Sequence, residues 1–408
     1  MRFSITKIQE DFPQLKGGSE HYLDSQATSL TPRSVIDAQD AYYLKARANT
    51  HRAIFKEAAL ATDLYEDART KIANFIGAKR EEVILTGGAT ESSNMLVRML
   101  DETPAFWGSG KREIVTSVME HHASLVPLQQ LAKRKGCMLS HIPLSPGSVR
   151  LDVKSVEGLI SDETAIVSVM LASNVTGTIN PISEIAKVAH RHGAFVVVDA
   201  TAAIGHIPMH VDDLGADALF FSGHKILGPT GVGVLWVRKE MLEKLQPAVF
   251  GGHMISEVTK DDATWGDIPD RFEPGTKNIG GVIGLGAAVD YLNAVGLTEI
   301  HRHVSALTKS AIEALDALPG VHVVAERDTE LNIGDVSFVC DFAHPHDVAE
   351  ILGRNGVAVR PGHHCALPYH VELGIAATTR VSFYLYNDED DVRGLVEAVK
   401  KVRALFAD

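Results

Sequence analysis

The chain has 408 residues, 45% of them hydrophobic and 22% charged, with a formal net charge of -13 at pH 7. This length exceeds one ordinary core, so two domains, or one large α/β domain with an appendage, are expected. The acidic balance argues against a broad nucleic-acid surface, which needs clustered Lys and Arg, and Cys137, Cys340 and Cys365 are too few and too far apart for a disulfide framework.

The amino terminus, MRFSITKIQEDFPQLKGG, lacks the apolar core of a signal peptide, and no uncharged run approaches the roughly 20 residues that span a bilayer. A soluble cytoplasmic protein is expected. A helix from Ser34 to Ala48 is expected to pack near the carboxyl-terminal region. From about residue 82 to 240, the runs EVILT, REIVTS, AIVSVML, AFVVVDA, ALFFS and GVGVLWV alternate with helical stretches such as LVPLQQLAKRKG and ISEIAKVAHRHG. Near-continuous apolar strands of this kind belong in a sheet covered on both faces. The expected fold is therefore α/β, doubly wound and mainly parallel, with ligands beyond the carboxyl ends of its strands.

Between Pro247 and Asn278 the alternation breaks, as a long functional loop or hairpin. GVIGLGAAVDYLNAVG then reads as helix. Its GLGAAV lacks the preceding strand of a dinucleotide fingerprint, and GSGKRE at 108 to 113 lacks phosphate-loop spacing and reads as a surface turn. From about 291, the helix HVSALTKSAIEALDAL, strand-like VHVVAE and DVSFVCDF, and a final helix DEDDVRGLVEAVKKVRALF define a smaller α+β region. The division expected is 22–290 for the large domain, and 1–21 with 291–408 for the small one.

Three places carry chemistry. EVILT runs into Gly87, Gly88, Ala89 and Thr90 at a helix start, where backbone N–H groups, a hydroxyl and the helix dipole favour a phosphate; a plain turn capped by Thr90 explains the same residues. Asp199 ends the strand AFVVVDA, and Ser222, His224 and Lys225 follow the next strand 26 residues later. A desolvated lysine forms a Schiff base with an aldehyde, and a carboxylate keeps a pyridinium nitrogen protonated. Taken together with the phosphate turn, this describes pyridoxal 5'-phosphate. The third place is RPGHHCALP, where Cys365 follows two histidines. Metal ligand, redox thiol, nucleophile and inert filler all remain open at this point, although adjacent ligands do not readily converge on one tetrahedral ion.

Over almost its whole length the chain resembles the class V, fold-type I pyridoxal phosphate enzymes, specifically the SufS-type (group II) cysteine desulfurases. YLDSQATSLTP, MEHHASLVP, SNVTGTINP, VVVDA, FSGHKILGPTGVGVLWV, RFEPGTKN, IGLGAA, VAVRPGHHCALP and RVSFYLYN carry the resemblance, in order, from residue 22 to 387. It implies that Lys225 holds the cofactor aldehyde, that Asp199 pairs with the pyridine nitrogen, and that His121 stacks on the ring and moves protons. Ala89, Thr90, Ser222 and His224 would bind phosphate, with Thr276 arriving from the second subunit of a homodimer. Asn174 would lie by cofactor and substrate, Arg380 would pair with the carboxylate of L-cysteine, and Arg360 is a secondary candidate.

The resemblance also implies that Cys365, as a thiolate, attacks the substrate sulfur, so that alanine leaves and a protein persulfide remains. Cys137 and Cys340 keep a core reading, and no permanent metal is expected. His346 of AHPHDV matches relatives whose second histidine takes a zinc-ligand position on a sulfur acceptor. The implied acceptor is a protein of the SufU or SufE type, or a scaffold for iron–sulfur cluster assembly. Selenocysteine lyase shares the cofactor site and is an alternative reading.

Some positions depart from the pattern. Ala202 stands where a glutamine usually donates to the cofactor's phenolic oxygen, with Thr201 or water as substitutes, which also leaves room for a partner-binding protein of weakened catalysis. Ala89 replaces a common threonine. After His51 and Arg52, AIFKEAALAT lacks the usual glycine and histidine.

Overall fold

A computed structural model of the chain describes residues 3–17, 20–51, 55–108 and 110–406. Seven strands form the main sheet, in the order Val83–Thr86, Gly233–Val237, Ala218–Ser222, Phe195–Asp199, Thr164–Met170, Glu113–Ser117 and Met138–Ile142. Six run in one direction, and Gly233–Val237 is antiparallel to both its neighbours. The edge strand Met138–Ile142 escapes a hydrophobicity reading because only Ile142 in it is buried. All seven residues of Thr164–Met170 are buried, as expected of a central strand with both faces covered.

Successive strand residues point to opposite faces, and the sheet accordingly divides two cores. Ile84, Ile114, Phe195, Val197 and Phe220 face a core shared with the helices Ala89–Asp101 and His122–Lys135. Their neighbours Val83, Val115, Val196, Val198 and Leu219 face a second core that continues into the small sheet through Val336, Phe338 and Val381. That small sheet is antiparallel, ordered Val321–Val324, Asp335–Cys340, Thr378–Ser382 and Arg360–Gly362. The amino-terminal strand His21–Tyr22 pairs with Val357–Ala358.

GLGAAV lies within the helix Ile279–Val295, and the break after Pro247 contains a hairpin of Ile255–Val258 and Ala263–Trp265. One placement differs from expectation. The helix Arg33–Lys45 packs on Ile279–Val295 rather than on the small sheet. Gly280 and Gly284, about one turn apart, open the groove it needs: a Cβ at Gly280 would meet Tyr43 at 2.9 Å, and one at Gly284 would meet Gln39 at 2.9 Å. No single helix among the described residues is long and apolar enough to cross a membrane.

Candidate active site

A cavity of about 270 Å3 opens beyond the carboxyl ends of the parallel strands. Ala89, Thr90, His121, Asn174, Asp199, Ser222, His224 and Lys225 line it from the large sheet, and Arg360, Cys365 and Arg380 from the small one. Eleven of the twelve residues the sequence reading assigned to cofactor, catalysis or substrate thus share one space. Thr276 is the twelfth. It lies in a separate concavity with Asn49, Thr50 and Gly252, outside its own chain's cavity.

At one end, backbone approach sets the geometry. Gly88 has φ 150° at the junction of strand and helix, and a Cβ on Gly233 would lie 2.4 Å from the Gly88 Cα. Two glycines therefore let the chains touch, and the helix Ala89–Asp101 starts with its N-terminus at the cavity. The amide of Ala89 donates to Ser222 Oγ at 2.7 Å, and His224 Nδ1 lies 3.2 Å from Thr28 Oγ1. Burial, then the charge of Lys225, lowers the His224 pKa to about 4.

Asp199, 4% exposed, accepts from the amide of Thr201 at 2.9 Å. Burial raises its pKa against the opposing pull of Thr201 and Lys225. Lys225 sits in a single 3-10 turn directly after the strand Ala218–Ser222. Burial and then Arg380 lower its pKa to about 8, opposed by Asp335, Asp199 and Asp24. A lysine so placed supplies a neutral amine near neutral pH far more readily than an exposed one. His121 caps the helix His122–Lys135, with Nδ1 accepting from the Ala123 amide at 3.0 Å. Burial, followed by Lys225, lowers its pKa to about 4. The neutral ring therefore carries its proton on Nε2.

Arg380 is 2% exposed; Nη1 donates to the Asn174 carbonyl at 2.8 Å and Nη2 to Asp24 Oδ1 at 3.2 Å. Arg360, more exposed, donates to Asp24 Oδ2 at 2.8 Å. Asn174 donates from Nδ2 to the His364 carbonyl at 2.7 Å, and its Oδ1 is buried without a partner. Cys365 is exposed on a turn between the strand Arg360–Gly362 and the helix Leu367–Glu372. The other two thiols differ. Cys137 and Cys340 are half-buried, and burial pushes Cys340 up to about 12, which leaves it protonated at neutral pH.

Sequence reading missed Gln26, Asp24 and Asp335. Gln26 is 2% exposed and lines the cavity beside Ala202, which presents only a methyl group. Its Nε2 donates to Asp335 Oδ2 at 3.0 Å and to the Ala202 carbonyl at 3.3 Å. Its Oε1 accepts from Lys225 Nζ at 3.3 Å, and Lys225 also donates to the Gln26 backbone carbonyl. The only signal for it was its place inside YLDSQATSLTP. Gln26 turns an acceptor toward Lys225 and so does not supply the donor that Ala202 lacks, whereas Thr201 lines the same cavity with a buried, unpartnered Oγ1. His51 lies 3.4 Å from Glu66, while Arg52 falls outside the described residues. His346 is exposed on the first turn of the helix Pro345–Arg354, its amide donating to His344 Nδ1 at 3.3 Å.

Pyridoxal phosphate fits this donor set. The cavity offers a partly neutral lysine amine, a buried carboxylate that lacks a cationic hydrogen-bond partner, and a helix N-terminus with a hydroxyl. The unpartnered Asn174 Oδ1 and the unpartnered Nε of Arg380 add a buried acceptor and donor on the small-sheet side.

The chain belongs to the aminotransferase class-V family, whose model matches residues 21–395, and its fold is that of the fold-type I enzymes. Among curated proteins it is 44% identical to a probable cysteine desulfurase of Halalkalibacterium halodurans, over 98% of each chain. A probable cysteine desulfurase of Streptomyces coelicolor is 43% identical, over 98% of this chain and 97% of that one. Among solved structures, the apo cysteine desulfurase of Thermococcus onnurineus superposes with a TM-score of 0.93 at 40% identity, over 98% of each chain. The cysteine desulfurase CsdA of Escherichia coli gives 0.91 at 35% identity over the full length of both.

Proposed function

We propose that the protein is a pyridoxal phosphate-dependent cysteine desulfurase of the SufS type, which takes L-cysteine to L-alanine and retains the sulfur as a persulfide on Cys365. The observation that carries this reading is the meeting of Lys225, Asp199, Arg380 and Cys365 in one cavity. When bound there, the cofactor would supply an electron sink for the bonds of the amino acid. Lys225 would be its attachment point and a proton carrier. Asp199 would hold the ring nitrogen protonated, and the N-terminus of Ala89–Asp101, with Thr90, Ser222 and His224, would hold the phosphate. Thr276 of a partner protomer completes that cradle in a homodimer.

Arg380 binds the substrate carboxylate, with Arg360 guarding the entrance and Asn174 beside both. Asp24, which now accepts from both arginines, keeps their charges compensated until a carboxylate arrives. His121, with its proton on Nε2, would exchange that proton with the substrate. The Cys365 thiolate then attacks the substrate sulfur. An S–S bond forms, the Cβ–S bond breaks, its electron pair stays on carbon, and Cβ takes up a proton to give alanine. The persulfide sulfur passes to an acceptor protein of the SufU or SufE type, or to a scaffold for iron–sulfur cluster assembly. His346 contributes to docking, and the compartment is the cytoplasm. Residues 22–290 form the cofactor domain, and 1–21 with 291–408 form the domain carrying the cysteine.

The deciding assay loads the protein with cofactor, adds L-cysteine, and measures alanine and sulfide together. Parent protein should release both with a thiol reductant present, while Cys365→Ser should lose this turnover. Equal turnover in the two proteins would remove Cys365 from the reaction, and no alanine from either would remove the desulfurase reading. A parallel arm with selenocysteine should show no preference that excludes cysteine.

A further inference from the structure

His364 and Cys365 both occupy the left-handed region, with φ 51° and 57°. Neither is a glycine, and two consecutive residues there persist only where surrounding contacts hold them. The amide of His122 donates to the Cys365 carbonyl at 2.7 Å, and Asn174 Nδ2 donates to the His364 carbonyl at 2.7 Å. Past the cysteine, the amide of Leu367 donates to His122 Nε2 at 3.2 Å, and that of Ala366 to the His363 carbonyl at 2.8 Å.

Side chains hold the same turn from beneath. His364, 8% exposed, places Nε2 2.9 Å from Thr378 Oγ1, and His370, fully buried, places its Nε2 3.2 Å from that same oxygen. His370 Nδ1 lies 3.1 Å from the carbonyl of Ala366. A carbonyl only accepts, so His370 Nδ1 must carry hydrogen. Burial lowers the pKa of His370 from its ordinary 6.5, so at neutral pH the ring carries one hydrogen, its Nε2 is bare, and it accepts the one hydrogen of the Thr378 hydroxyl. The hydroxyl has then nothing left to donate, and His364 Nε2 must be the donor to it. His364 Nδ1 is left bare, in agreement with its burial without a partner. The direction of every hydrogen from His364 through Thr378 and His370 to Ala366 is thereby fixed, and both ends of this chain lie in the segment that carries Cys365.

We propose that Thr378 is a positioning residue for Cys365: its hydroxyl sets the tautomers of His364 and His370 in one direction, and so locks the left-handed turn that presents the thiol to the cavity. This deepens the desulfurase reading and rests on Cys365 as the nucleophile. Thr378 does not line the cavity; it acts through His364. Threonine is suited to the place because one hydroxyl can donate to one ring and accept from the other, on a buried strand.

The experiment compares Thr378→Val, which keeps the shape and loses the hydroxyl, with Thr378→Ser, which keeps the hydroxyl, in the full-length, cofactor-loaded protein. Hydrogen exchange at the amides of Ala366 and Leu367 should quicken on the order of tenfold in Thr378→Val and stay near parent in Thr378→Ser. In Thr378→Val, kcat for alanine release should fall on the order of tenfold or more, because the attacking sulfur is misplaced, while KM for cysteine and the visible cofactor band hold. Parental exchange in Thr378→Val, or equal kcat in both variants, overturns the lock. So does a Thr378→Val protein whose KM and cofactor band move together with kcat, which would mark a general lesion. The exchange readout is independent of the chemistry of Cys365. Failure of the nucleophile reading, seen as undiminished turnover by Cys365→Ser, is therefore told apart from failure of the lock.

Discussion

The side-chain oxygen of Gln26 lies 3.3 Å from Nζ of Lys225, across 199 residues of sequence. The amide is oriented without ambiguity, since Asp335 and the Ala202 carbonyl are both acceptors and must face its nitrogen. The end facing Lys225 is therefore an acceptor, which favours hydrogen on the lysine nitrogen. Gln26→Ala should lower the pH midpoint of the visible band of the cofactor-loaded protein by about one unit, the size expected for a hydrogen bond to a charged group. A spectral titration checks this, and an unchanged midpoint removes Gln26 from the control of Lys225.

Asp199 bears the cost of burial before any cofactor arrives. Its pKa is raised in the folded state, so between the unfolded and folded values the native protein holds a proton that the unfolded chain has released, and stability falls as pH rises through that window. The apo form of Asp199→Asn should therefore match or exceed the apo parent in melting temperature at pH 8. Loading with cofactor should raise the melting temperature of the parent more than that of the variant, and turnover of the variant should drop on the order of 100-fold or more. Equal gains on loading would mean that Asp199 meets no positive charge on the cofactor.

Arg380 is held by the Asn174 carbonyl and Asp24, with its Nε left unpartnered for a carboxylate. Lysine keeps the charge but loses the fork. Arg380→Lys should raise KM for cysteine by roughly tenfold or more with a smaller change in kcat, read from initial rates of alanine release.

Glu273 has a structural rather than a chemical task. Its carboxylate takes Arg69 Nη1 at 2.6 Å and Nη2 at 3.0 Å, and the Leu85 amide at 2.7 Å, and so fastens the segment bearing Thr276 to the first strand of the sheet. Burial alone would raise its pKa, but Arg69 prevails and holds it below its ordinary value of 4.5. That contribution to stability is present above the unfolded pKa and is lost as pH falls through the folded one. Glu273→Ala leaves buried Arg69 with the Val83 carbonyl and the single carboxylate of Glu66, and should cost about 3 kcal/mol in denaturant unfolding at pH 7. The difference from the parent should shrink in acid.

His346 is exposed, and the carbonyl of Pro345 before it accepts from Thr379, next to Thr378. His346→Ala should slow sulfur transfer to an acceptor protein while dithiothreitol-supported turnover stays at the parental rate. Equal loss in both assays would place His346 in the chemistry rather than in docking.

What the residues alone determined was local. Buried runs such as AIVSVML set the central strands, because a strand covered on both faces must be apolar throughout. Lys225 and Asp199 were legible because each stands at the end of such a strand, where the chain itself puts ligand-binding groups. Met138–Ile142 was not, since an edge strand carries little burial. The tertiary structure alone decided the polar contacts between segments far apart in sequence: Gln26 against Lys225 and Ala202, Glu273 against Arg69, and the packing of Arg33–Lys45 on a glycine groove. Thr378 makes the same point at closer range. No pattern in HHCALPYH or AATTRVS says that one hydroxyl stands between two imidazoles, because the direction of a hydrogen bond is set by the partner that can only accept, and here that partner, the carbonyl of Ala366, is a backbone atom that only the folded turn brings into place.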